Sequence, residues 1–311
     1  MKGLELSRKY FEAFGAPMLR DSFPEYEEMI AAGLTGSGSE CYGYDDDISV
    51  DHDFEPGFCL FIPGEDIVDR KTAFQLERAY AKLPAEFEGY TRLKMSPVGG
   101  QRHGVIRIEE FFQERIGCLP EELTPERWLR LPEPVLAEAV NGEMFQDRLS
   151  LMEDQRDILR RMPEEIRRKK LAGHLLMMAQ SGQYNYTRCI RHGEPGAAQL
   201  AVLEFTRHAM ATLFLLNGRY MPYYKWSFRA LREIPGQEKN ASLLEDLICT
   251  GNDPDTAETK YGRIEALASE IIDMLQAQDL TRAICGDLEK HAYSVNDSIR
   301  DSWLRNQPMM E

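Results

Sequence analysis

The chain has no run of about 18 apolar residues, the length that a membrane-spanning helix needs. Its first stretch, MKGLELSRKYFEAF, lacks the apolar core of a secretion signal and reads as an amphipathic helix, so a cytoplasmic protein with no membrane partner is expected. The six cysteines (Cys41, Cys59, Cys118, Cys189, Cys249 and Cys285) form no C-x-x-C pair. That spacing argues against a zinc ribbon and a disulfide framework and leaves free, mostly buried thiols. His103, His174, His192 and His291 show no metal-ligand spacing and read as ordinary surface or core residues. Basic residues are scarce: 37 Lys and Arg face 52 Asp and Glu, a net charge of −15. Such a chain repels a phosphate backbone, which argues against a nucleic-acid substrate. There is no internal repeat, low-complexity tract or long linker.

What is present is a soluble globular composition, 43% hydrophobic and 29% charged over 311 residues, a length that suggests two domains. Residues 6–19 and 23–34 carry the spacing of two helices. PGFCLFIP (56–63) is a short apolar run between Gly and Pro, a buried strand. RKTAFQLERAYAKL (70–83) is a helix ended by Pro84. YTRLKM (90–95) and HGVIRI (103–108) are strands joined by the turn-like SPVGGQR. From Glu109 onward helices dominate, and GAAQLAVLEFTRHAMATLFLLNG (196–218) is apolar nearly all round, as in the centre of a bundle. The fold class expected is α+β. An α/β domain with a small mixed sheet occupies 1–115 and an all-α helical bundle 116–311, with the junction near LPEELTPERWLRLPEP (119–134). The apolar content of the helical half is compatible with a homodimer.

The chemistry concentrates in GSGSECYGYDDDISVDHDF, residues 36–54. A small turn at Gly38 and Ser39 offers backbone N–H groups to phosphate oxygens. Asp51 and Asp53, two apart on an extended segment, point to one side. Two carboxylates facing one way repel unless a cation lies between them, and magnesium takes such oxygen ligands together with substrate phosphates. The neighbouring run Asp45–Asp47 reads on its own as solvated charge.

The stretch resembles the polymerase-β-type nucleotidyltransferase superfamily. More closely, GSGSE, DDDIS and DHDF, together with NGEMFQD (141–147) and YMPYYKW (220–226), resemble a bacterial family of unknown function with a nucleotidyltransferase-like fold. The resemblance implies that Ser39 contacts phosphate, that Asp51 and Asp53 bind Mg²⁺, that ATP or another nucleoside triphosphate is the substrate, and that the helical domain holds the acceptor. It implies transfer of a nucleoside monophosphate, AMP by preference, to a hydroxyl of an unidentified acceptor. The alternative is an inactive nucleotide-binding regulator with the same fold. This chain departs from the superfamily where His52 separates the aspartates and Phe54–Gly57 precede the strand.

Other candidates have two readings each. Glu109, with Glu110, ends a strand and offers a third carboxylate, or else opens a helix whose dipole favours acidic residues. Lys225, beside Trp226, reaches a triphosphate as a point charge, or lies in a helix-connecting turn. The surrounding Tyr220, Tyr223 and Tyr224 stack on a base, or plug the bundle. Glu204, His208 and Thr212 form one polar stripe, with Glu204 either a base for the acceptor hydroxyl or half of a solvent-facing Glu–His pair. Arg188 and Arg191 bind phosphate, or close a helix. Arg188 and His192 also suggest an RNA-acting helical nuclease, which the acidic charge disfavours. NGEMFQD suggests a turn at Gly142 and a cap at Asp147.

Overall fold

A computed structural model describes residues 1–48, 55–92 and 103–309. The chain forms two compact units, Met1–Leu123 with Val135–Arg161, and Thr124–Pro134 with Met162–Glu311. The fold class is α+β, with a small mixed sheet in the first unit.

The first unit opens with α1 (Gly3–Tyr10), a π-helical turn and α2 (Ala16–Ser22). The second helix expected, over 23–34, does not form. Its end is instead strand β1 (Ala31–Leu34), buried at every position. AAGL carries no strand signal of its own. Its small side chains let neighbouring backbones close in: a Cβ on Gly33 would lie 2.5 Å from the Glu143 carbonyl oxygen. Strand β2 (Cys59–Ile62) runs antiparallel to β1, with Gly33 opposite Cys59. The run FCLFI is buried on both faces, as a continuous apolar strand must be. Leu60 and Ile62 join the cluster of Tyr10, Leu19, Leu76 and Tyr80, while Phe61 packs edge-on against Phe111. Helix α3 (Arg70–Ala81) begins where Asp69 caps the Thr72 N–H at 2.7 Å. Strands β3 (Glu86–Phe87) and β4 (Tyr90–Thr91) form a separate small hairpin.

Strand β5 (Gly104–Arg107) pairs parallel to β2, Cys59 with Gly104 and Ile62 with Arg107. Helix α4 (Ile108–Ile116) follows at once. Helix α5 (Pro125–Arg130) belongs to the second unit. After α6 (Glu133–Val140) the chain returns to the sheet as β6 (Glu143–Gln146), antiparallel to β1, giving the order β5-β2-β1-β6. Helix α7 (Leu151–Arg160) completes the unit, its first turn capped by Asp147 through the Met152 and Glu153 N–H groups. The division expected at 115 thus differs from the one observed, because NGEMFQD supplies the sheet's fourth strand.

The second unit is helical. Helices α8 (Glu164–Met178), α9 (Tyr186–Arg191), α10 (Pro195–Leu216), α11 (Tyr224–Arg232), α12 (Glu238–Cys249), α13 (Pro254–Ala277), α14 (Leu288–Asp297) and α15 (Ser302–Asn306) follow one another. A π-helical stretch, Ala179–Asn185, joins α8 to α9. Helix α10 is the centre, burying Val202, Phe205, Met210 and Leu213 to Leu216. Among the described residues no helix is long and apolar enough to cross a membrane.

Candidate functional site

Strand register fixes where the Gly-Ser turn lies. Leu34 ends β1 beside the amino ends of β2 and β5, since Gly33 pairs with Cys59 and Cys59 with Gly104. Gly36 takes a positive φ of 131°, open to glycine but not to a bulky residue, and turns the chain out of the sheet. Gly38 then precedes a single 3-10 turn, Ser39–Tyr42. The Ser39 hydroxyl lies 3.5 Å from a Glu40 carboxylate oxygen. Among the described residues, the N–H groups of Ser37, Gly38 and Ser39 have no acceptor.

Beneath the turn is a cavity of about 230 Å³, lined by Gly36, Ser37, Gly38, Cys41, Cys59 and Arg115 among others. Helix α4 delivers the arginine. It starts at the carboxyl end of β5 and runs back along the sheet; its nine residues rise about 13 Å, the length of a four-residue strand. The Arg115 guanidinium lies 3.8 Å from the centre of the Phe111 ring and donates to the Phe111 carbonyl at 3.1 Å. Its Nε is buried without a hydrogen-bond partner. Burial lowers the guanidinium's affinity for its proton, but arginine stays charged at any ordinary pH. Burial also pushes the Cys59 thiol up to about 12, so it does not act as a nucleophile. Glu40 and Glu138 line the same cavity.

Asp51 and Asp53 lie outside the described residues. The acidic run before them is not simply solvated. Asp45 is 2% exposed and accepts the Gly3 N–H at 2.8 Å, pinning the start of α1. Asp46 closes a turn by accepting the Ile48 N–H at 3.1 Å. Glu109 falls in the first turn of α4, at the carboxyl end of β5, where a Cβ on Gly64 would lie 2.9 Å from its Oε1. That is the end of the strand pair opposite the Gly-Ser turn. Near the turn's end of the strands, His103 Nδ1 and Glu55 Oε1 are 3.0 Å apart.

In the second unit, Arg188 stacks 4.9 Å over the Tyr184 ring and donates to its hydroxyl at 2.9 Å. The exposed Lys225 ammonium sits 4.8 Å from the Trp226 ring centre. Tyr223 and Tyr224 are exposed rather than plugged into the bundle. Glu204 accepts from Arg207 at 2.8 Å and lies 3.1 Å from His208 Nε2. No ion pair or hydrogen bond among the described residues joins Arg188, Glu204 and Lys225 to one another.

The polar stripe on α10 instead continues inward. His208 Nδ1 faces His174 Nδ1 on α8, and His174 Nε2 lies 3.9 Å from Glu133, which Lys170 holds at 3.0 Å. This chain borders a cavity of about 260 Å³. Burial alone would raise the Glu133 carboxyl, but His174 and the Lys170 ammonium override it and hold the group well below the usual carboxylate range. Burial, then the charge of His174, lowers His208 to about 4.

Sequence reasoning missed Arg115 and the His174–His208 pair. A seven-residue step from Ile108 to Arg115 marks one helix face, but nothing in the sequence says what that face meets.

A domain of unknown function (DUF4037) matches residues 128–227. No curated protein matches the chain. Among solved structures, a nucleotidyltransferase-like protein from Exiguobacterium sibiricum is similar at 14% identity, over 86% of this chain and 76% of that one, with a TM-score of 0.36.

Proposed function

We propose that the first unit binds a magnesium–nucleoside triphosphate at the Gly36–Ser39 turn and transfers its nucleoside monophosphate, AMP by preference, to a hydroxyl acceptor. One observation carries the reading: Ser37 and Gly38, whose N–H groups have no acceptor among the described residues, and Arg115, whose Nε is orphaned, line one cavity. Phosphate oxygens match such donors, and the planar guanidinium binds them two at a time. Gly38 and Ser39 would cradle the terminal phosphates. Arg188 and Lys225 are further phosphate candidates and Glu204 an acceptor base, each standing on its sequence position alone.

A bare anion would meet Glu40 and Glu138 in that cavity, so a triphosphate that brings its own cation fits better. Among the described residues no three His, Cys, Asp or Glu side chains group as a metal site. Asp51 and Asp53, the carboxylate pair that the sequence sets two residues apart, would hold the Mg²⁺, which neutralises phosphate charge when bound. The chain's own groups orient the phosphates and exclude water from them.

A second reading, nucleotide binding without transfer, draws support from Glu109. The third carboxylate of the expected set opens α4 at the sheet end opposite the turn.

Calorimetric titration of ATP, GTP, CTP and UTP with Mg²⁺ tests both, on the native chain and on the Asp51→Asn, Asp53→Asn double variant. Metal-dependent binding lost in the variant, with pyrophosphate released when hydroxyl acceptors are added, is the expected result. Binding without release under any acceptor favours the second reading. No binding of any triphosphate by a folded chain overturns both.

A further inference from the structure

The Gly-Ser turn is held by a segment more than a hundred residues downstream. Antiparallel register opposes Leu34 to Glu143, and two steps further on it would oppose Gly36 to Asn141. The backbone does not make that pairing. The Asn141 side-chain amide makes it instead. Gly36 N–H donates to Oδ1 at 2.9 Å, and Nδ2 donates to the Gly36 carbonyl at 2.7 Å. The Thr35 hydroxyl also lies 3.0 Å from Oδ1. A primary amide presents the same donor and acceptor as a peptide group, so it extends the ladder by one residue while the main chain turns away. Gly142 makes that departure with φ of 65°, and its N–H donates to the Cys41 carbonyl at 2.9 Å. The two ends of the turn, Gly36 and Cys41, are thus fixed by two adjacent residues.

Asn141 is itself locked. Arg156 on α7 is fully buried, donates to the Val140 carbonyl at 2.9 Å and to the Asn141 carbonyl, and pairs with Glu153. A buried arginine so far from water is costly unless its protons are used, and two of its uses are these carbonyls. The consequence for the turn is selective. Asn141 consumes both polar groups of Gly36 and leaves the N–H groups of Ser37, Gly38 and Ser39 directed elsewhere.

We infer that Asn141 is a positioning residue, which sets the shape of the Gly36–Ser39 turn for a triphosphate and is held in place by Arg156. The inference rests on the proposed triphosphate site. Its test compares the native chain with Asn141→Ala, Asn141→Asp and a control, Gln146→Ala. Gln146 also donates to backbone from β6, to the Glu27 and Ile30 carbonyls, but touches no part of the turn. The readouts are Mg²⁺–ATP affinity, melting temperature and hydrogen exchange at the Gly36 amide. In Asn141→Ala, ATP affinity is expected to fall tenfold or more and Gly36 exchange to rise by a similar factor. Asn141→Asp keeps the Oδ1 acceptor and should keep Gly36 protected. Gln146→Ala should lower the melting temperature without changing ATP affinity. Native ATP affinity and native Gly36 exchange in Asn141→Ala overturn the inference, as does an affinity loss in Gln146→Ala equal to that in Asn141→Ala. A native chain that binds no triphosphate overturns the proposed function instead. The exchange rate at Gly36 then decides alone whether Asn141 shapes the turn.

Discussion

His174 on α8 and His208 on α10 face each other through their Nδ1 atoms, 2.8 Å apart. Two lone pairs at that distance repel, so one proton sits between the rings. His208 Nε2 is turned to Glu204 and His174 Nε2 to Glu133, with Arg207 and Lys170 flanking the two carboxylates. The cation that would form if both rings took a further proton is buried, and beside another positive ring. Hence His208 resists protonation until about pH 4.

The sign of its effect on stability follows. An unfolded histidine protonates near pH 6.5, above the folded value of about 4. Stability from the neutral ring is full above about pH 6.5 and is lost as the pH falls toward 4, on the order of 3 kcal/mol in all. Glu133, held low in the fold, adds a loss that begins only below its unfolded value near 4.5. Melting temperatures between pH 7.5 and pH 5 should fall in the native chain and fall less steeply in His208→Gln. Equal slopes would show that the pair does not govern this window.

Gly142→Ala should destabilise the first unit strongly. A Cβ there would lie 1.9 Å from the Leu34 carbonyl oxygen, which is backbone of a central strand and cannot swing aside. The positive φ adds its own strain. A loss of about 2–4 kcal/mol is expected, read as a shift in urea midpoint; a shift below a few tenths of a kcal/mol would count against the packing described.

Lys260 is fully buried on α13, with its ammonium satisfied by Gln199 Oε1 at 2.8 Å, the Thr250 carbonyl at 2.7 Å and Asn252 Oδ1 at 2.9 Å. Lys260→Met keeps the volume and takes a donor from three acceptors; Gln199 Oε1 keeps Asn252 Nδ2 at 2.8 Å and Asn252 Oδ1 keeps the Tyr186 hydroxyl at 3.3 Å, while the Thr250 carbonyl loses the ammonium. Roughly 1–3 kcal/mol should be lost, despite the more apolar side chain. A more stable variant would mean that the ammonium's desolvation outweighs its hydrogen bonds.

Arg115→Leu should leave the fold nearly intact, because the leucine still covers Phe111. Mg²⁺–ATP affinity should fall roughly tenfold to a hundredfold, the range for a charged hydrogen-bonding group. Binding equal to the native chain would remove Arg115 from the phosphate site.

Much of this fold is legible in the sequence, and the failures share a cause. FCLFI reads as a buried strand because five apolar residues lie between glycine and proline. The helix read at 70–83 and ended by Pro84 forms as Arg70–Ala81. AAGL does not, since alanine and glycine become a strand only where neighbours press in on both edges. EMFQ is four residues amid helices, with no local signal to set it apart. The role of NGEMFQD depends on a partner 105 residues away, and the histidine pair on residues 34 apart. Residue type names a chemistry at each of these places, but only tertiary packing says which groups meet.

The return of Glu143–Gln146 to pair with Ala32–Leu34 has a consequence for biosynthesis. The chain emerges from the ribosome amino end first, so β1 exists for more than a hundred residues of elongation with one edge unpaired. An open, apolar strand edge is a template for association with other chains. The first unit therefore closes only once α7 has been made. A fragment ending at Leu123 would carry that open edge permanently and is expected to aggregate, whereas one ending after Arg161 carries the complete sheet.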